Sequence, residues 1–192
     1  MKLEQTIVRQ AAPTLAGLKT GNLFPIRTKT ENIYPELRRL NRMLTEKGLR
    51  LILIRRNREN MLIYLFRPDR LEKDLKACEA ECLLKEKGYP CGDMNRCVAK
   101  LLRRLAAAPV FPHEIGLFLG YPPSDVRCFM EDPNKGVKCT GCWKAYDHPE
   151  EAEKQFRKYH KCTEVYQKVY QKNGSLERLI VDGRRCGGTR PA

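Results

Sequence analysis

The chain has 192 residues, 42% of them hydrophobic and 31% charged, with a formal net charge of +14 at pH 7. That balance suits a soluble fold with a sizeable core, and no apolar run approaches the roughly 18 residues of a membrane span. Lys2, Glu4 and Arg9 stand where a secretory signal would be apolar, so the nine cysteines read as reduced thiols in a cytoplasmic protein rather than a disulfide framework.

Residues 1–33 show no sustained period. The stretch 11–24 mixes Pro13, Gly17 and Gly21 with apolar residues and reads as an ordered, packed loop, in which Lys19 and Asn22 lie among glycines in a way that suits a bound anion. A helix is expected from Pro35 to Gly48, with Leu37, Leu40 and Leu44 on one face. Two apolar runs, 49–54 and 61–66, flank a polar turn at 56–60 and predict a β-hairpin covered on both faces. A helix over 68–88 would place Leu71, Leu75, Cys78 and Cys82 on one face, which assigns both cysteines to the core. The next helix, after Asp93, does the same for Met94, Cys97, Leu101 and Leu105.

The stretch from Phe111 to Met130 carries the punctuation of two short helices and a bend. Pro112 suits a first turn, Gly120 a left-handed stop, Pro122 and Pro123 a break, and Ser124 a cap for a second helix presenting Val126 and Phe129. Beyond a loop at 132–136, the run 143–146 has strand character. A long helix follows from about Asp147 to Lys172, with Ala152, Phe156, Tyr159, Thr163, Tyr166 and Tyr170 along one side. The expected architecture is one α+β domain over 1–182: a small, mostly antiparallel sheet built on the 49–66 hairpin, covered by five to six helices. Residues 183–192 read as a disordered tail.

The run Pro112-His-Glu-Ile-Gly-Leu-Phe-Leu-Gly-Tyr-Pro122 with Asp125 and Val126 resembles the signature of an uncharacterised bacterial family, domain of unknown function 3793. Ala12-Pro-Thr-Leu-Ala-Gly-Leu-Lys19, Asn22 to Phe24, Trp143 to Tyr146 and Lys161-Cys162 extend the resemblance over nearly the whole chain. It implies an anaerobic Firmicute setting, reducing and cytoplasmic, and no particular activity. Cys128 stands where relatives are expected to carry glycine.

Several residues have chemistry to offer. His113 can move protons near neutral pH or bind a metal, and Glu114 can orient it. Tyr121 and Asp125 follow around the bend, and Lys19 and Lys144 are cations able to hold an anion in the same pocket. Cys139 and Cys142 form a C-x-x-C, which Cys162 and His148 would complete as a zinc or iron–sulfur set. His160 is excluded, because it points about 200° away from Cys162 on one helix. The pair at 113–130 also resembles a helix-turn-helix, although its second helix offers Asp125, Glu131 and Asp132 against Arg127 alone.

The chain is basic everywhere except residues 111–150, where acids outnumber bases. The expected function is therefore a binding or accessory protein whose basic surface meets an acidic partner, a flavodoxin-like redox protein being one example. The alternatives are a nucleic-acid-binding regulator using 113–130 and a thiol or metal protein centred on Cys139 and Cys142. The sequence points to no catalytic constellation and to no cofactor.

Overall fold

The computed structural model describes residues 3–26, 33–55, 61–107 and 110–183. The turn at 56–60 and the tail from 184 onward lie outside the described residues. Strands β2 (Arg50–Arg55) and β3 (Met61–Phe66) form the expected antiparallel hairpin, in register from Arg50 opposite Phe66 to Arg55 opposite Met61. β3 is the middle strand. On its other side runs β1 (Gly21–Ile26), also antiparallel, with Leu23 opposite Tyr64 and Phe24 opposite Ile63.

The loop expected over 11–24 is therefore replaced by the end of a helix, α1 (Leu3–Leu15), and by an edge strand. Ile7, Val8, Ala11, Ala12 and Leu15 are buried along one helical stripe, and the helix survives Pro13 by kinking at Ala11, whose φ is −133°. Pro25 is tolerated in β1 because an edge strand needs no donor on its outer side.

Alternation along β3 divides the core in two. Met61, Ile63 and Leu65 join Phe24, Ile26 and Leu51 under α1, α2 (Ile33–Glu46) and residues 176–180. Tyr64 and Phe66 face the opposite way with Ile54, under α3 (Pro68–Leu75), α4 (Cys78–Glu86), α5 (Met94–Ala107), α6 (Ile115–Phe118) and α7 (Pro123–Glu131). Each fully buried aliphatic here contributes about 1.5–3 kcal/mol. The last helix, α8 (Pro149–Asn173), packs on α1. No helix among the described residues is long and apolar enough to cross a membrane.

The helix expected over 68–88 is two helices. Ala77 adopts an extended ψ of 134°, and this break shifts the phase of everything after it. Ala80, Leu83 and Leu84 fill the core, and Cys78 and Cys82 are exposed rather than buried. Cys97 is buried as expected.

Arg67, at the exit of β3, ties the chain's distant parts together. Its Nε donates to Thr14 O at 2.7 Å, and its Nη2 donates to Leu15 O and Val181 O, each at 2.7 Å. A buried guanidinium thus caps the carbonyl end of α1, where the helix dipole favours positive charge. The Arg67 N–H donates to Thr20 O at 2.9 Å, which fixes the turn between α1 and β1.

Candidate functional site

α6 is a single turn. Gly120 follows it at φ +77°, and a Cβ there would stand 2.7 Å from Thr20 Oγ1, so both the conformation and the space demand glycine. Pro122 takes the N-cap position of α7 without a side-chain cap, so Ser124 lies inside the helix rather than before it. Gly116 lets the two helices touch, since a Cβ would come within 2.6 Å of Val126.

Asp125 is 5% exposed and joins α7 to the short hairpin β4 (Cys139–Thr140) and β5 (Lys144–Ala145). Its Oδ2 accepts from Trp143 Nε1 and its Oδ1 from the Tyr146 N–H, both at 2.8 Å. Trp143 then stacks on Tyr121, centroids 5.1 Å apart, and meets Phe156 of α8 edge-on at 4.5 Å. The Gly141 backbone lies so close to the Phe156 ring that any side chain would collide with it.

Between α6–α7 and this hairpin lies a cleft of about 450 Å³. Phe111, Ile115, Tyr121, Val126, Phe129 and Trp143 supply its apolar lining. His113, Asp125, Thr140 and Lys144 also line it, the His113 ring standing edge-on to Phe129 at 5.1 Å. Of the residues singled out from sequence, His113, Tyr121, Asp125 and Lys144 are thus brought together. Both Asp125 oxygens are occupied, and the Lys144 amine donates to Pro133 O at 2.8 Å and Asn134 Oδ1 at 3.0 Å. Burial pushes the Tyr121 phenol well above its usual range, so it stays a neutral hydroxyl near pH 7.

Glu114 is not part of this lining. It is 2% exposed and accepts from Tyr89 Oη at 2.8 Å, and Arg104 Nε lies 2.9 Å away as an ion pair off the line of N–H donation. Asn22 is engaged with Thr14, whose Oγ1 donates to Asn22 Oδ1 at 2.8 Å. Lys19 lies on the other side of Tyr121, its amine 5.0 Å from that ring's centroid and 5.9 Å from that of Tyr159. Burial lowers the Lys19 pKa to about 8, a shift the neighbouring Cys142 thiol partly opposes.

Cys139, Cys142, Cys162 and His148 do not gather. Among the described residues no three of His, Cys, Asp and Glu come within reach of one ion. His148 precedes α8 and its side chain turns to Asp147 at 3.3 Å, whereas Cys162 sits 13 residues after Pro149, roughly 20 Å along the same helix. The Cys139 thiol lies 3.8 Å from Pro149 O.

A family model described as "Protein of unknown function (DUF3793)" matches residues 7–180. The chain belongs to this family. No curated protein and no solved structure matches it. Two of the segments that carry the DUF3793 resemblance, 112–126 and 143–146, meet at the cleft. Gly116, Gly120, Tyr121 and Asp125 build one wall, Trp143 and Tyr146 hang from Asp125, and Lys19 sits behind Tyr121. Phe111 and Thr140 complete the lining and were not singled out from sequence; Phe129, expected there only as a core-facing residue of the second helix, shares the wall with Phe111, 18 residues away.

Proposed function

We propose that this DUF3793 protein is a binding protein that holds a flat, largely apolar small molecule in the cleft between α6–α7 and the β4–β5 hairpin. The carrying observation is the lining. Aromatic and aliphatic side chains dominate it, and its buried polar groups already have partners, so affinity would come from stacking and exclusion of water. His113 and Thr140 remain to orient the ligand. Trp143 is the chain's one tryptophan, so its emission reports on the cleft directly. Titration with flavin, naphthoquinone and anilinonaphthalene sulfonate should quench or shift that emission for at least one probe. Phe129→Ala should weaken the effect about tenfold, the worth of one good aromatic contact. Emission unmoved by all three probes would sink the reading.

A second reading rests on α5, where Arg96, Lys100, Arg103 and Arg104 line one open groove with Gly88 and Pro90. Lys100 is held by Gly88 O and Lys87 O and Arg104 by Glu114, but Arg96 and Arg103 have no carboxylate partner among the described residues. An acidic protein, flavodoxin-like in charge, would suit this groove, and the chain would then serve as a cytoplasmic accessory acting as one unit over residues 1–182. Arg96→Glu with Arg103→Glu should weaken capture of such a partner and flatten the salt dependence of what remains; undiminished capture by the doubly reversed variant would count against the groove. The helix-turn-helix reading has less support. α6 is one turn long, Asp125 and Val126 of α7 are buried in the cleft wall, and Arg127 is paired with Glu86 at 3.2 Å.

A further inference from the structure

Cys91-Gly-Asp-Met-Asn-Arg-Cys97 places three sulfur-bearing residues at intervals of three. The chain leaves α4 through Tyr89 and Pro90, and the Cys91 N–H folds back to Tyr89 O at 3.0 Å. Asp93 then caps α5, its Oδ1 accepting from the Arg96 N–H at 3.1 Å. Met94 is the first residue of that helix and Cys97 lies one turn further on, so the two share a face. Cys91 Sγ lies 3.6 Å from Tyr89 O and 3.7 Å from Glu81 O, and Cys97 Sγ lies 3.3 Å from Pro90 O. The two thiols are therefore held against the carbonyls of successive residues. Cys91, Met94 and Cys97 line a cavity of about 20 Å³, together with Leu75 and Leu84. That is room for one ion or one water.

We propose that Cys91, Met94 and Cys97 form a binding site for one soft monovalent metal ion of the Cu(I) class. Two thiolates and a thioether are the donor set that favours such an ion. A structural zinc asks for four N, S or O donors, and an iron–sulfur cluster for four thiolates. Among the described residues no three of His, Cys, Asp and Glu gather at one point, so neither set is met here. On binding, the ion displaces one proton from each thiol, and the complex of one Cu(I) with two thiolates carries a single negative charge. Glu72, Lys76 and Asp93 line the same cavity, and the Lys76 amine is paired with Glu72 at 2.7 Å.

The test is an oxygen-free titration of the full chain with Cu(I), using bicinchoninate as competitor, on the unaltered protein and on Cys91→Ser, Met94→Leu and a Cys78→Ser/Cys82→Ser double variant. The exposed pair Cys78 and Cys82 is one rival copper ligand, and the half-exposed C-x-x-C pair Cys139 and Cys142, which Cys91→Ser leaves intact, is another. One tightly held ion per chain is expected. Its affinity should fall in Cys91→Ser by more than the about 100-fold that loss of an outer-shell partner costs. It should fall measurably in Met94→Leu and stay unchanged in the double variant. X-ray absorption should show three sulfur neighbours at copper, dropping to two in Met94→Leu. Copper that follows Cys78 and Cys82, or that ignores Cys91→Ser, overturns the proposal. Met94→Leu conserves volume, so it decides the matter even if a cysteine variant fails to fold.

Discussion

Replacing Arg67 by Met would remove the group that holds three backbone segments together. Each hydrogen bond from a charged donor is worth about 1.5–3 kcal/mol, so simple addition over three carbonyls would overstate the loss. Thr14 O keeps a bond from the Gly17 N–H at 3.2 Å, and Leu15 O keeps one from Val181 N–H at 3.0 Å, so neither acceptor is orphaned. The expected cost is therefore about 3–5 kcal/mol, below the sum of three charge-assisted hydrogen bonds. In a chain of this size that lowers Tm by roughly 6–20 °C. Arg67→Lys should recover only part of it, because one ammonium cannot reproduce the fork that reaches all three carbonyls. Urea unfolding followed by circular dichroism, with the m-value held constant, gives the measurement. Removing one charge from a chain of net charge +14 relieves self-repulsion and works in the opposite direction. A loss below about 1 kcal/mol, or a neutral Arg67→Lys, would refute the capping account.

Asp125→Ala should cost about 2–4 kcal/mol, since it strips partners from Trp143 Nε1 and the buried Tyr146 N–H, and a red shift of Trp143 emission would report the loosened hairpin. Lys19 has a folded-state pKa near 8, below its unfolded value of 10.5, so its destabilising effect is complete below pH 8 and disappears as pH rises toward 10.5. That penalty is about 3 kcal/mol before the cation–π contacts with Tyr121 and Tyr159 return about 1–2 of it. Lys19→Met should therefore be the more stable protein at pH 7, by about 1–2 kcal/mol, with the gap closing between pH 8 and 10.5 in paired urea titrations. Gly120→Ala should destabilise by about 1–3 kcal/mol through positive φ and collision with Thr20, measured as a shift in urea midpoint at constant m.

Periodicity made the β2–β3 hairpin, α2, α5 and α8 legible, because each buries a regular set of side chains on the sheet or on a neighbouring helix. α1 escaped notice because Pro13 and the kink at Ala11 interrupt its pattern, although Ile7, Val8, Ala11 and Leu15 keep helical spacing. The exposure of Cys78 and Cys82 followed from a break at Ala77, a residue with no helix-breaking chemistry of its own. At the cleft, His113, Tyr121 and Asp125 stood out by residue type. What Asp125 does was not readable, since its partners lie 18 and 21 residues away and only the folded chain brings them to it. Lys144 had the right charge for an anion ligand, and its engagement with Pro133 and Asn134 emerges only from the loop's path.

The Arg67 junction also has a kinetic consequence. α1 is made well before α8, yet its apolar stripe is covered by α8, and its last carbonyls share a guanidinium with Val181. While the ribosome is still short of residue 181, α1 lacks part of its cover and exposes Ile7, Val8 and Leu15 to whatever binds nascent apolar segments. Such late closure of distant contacts slows folding and lengthens dependence on holding factors. Chains halted before α8 and Val181 are made should therefore be cleared by proteases more readily than the finished chain.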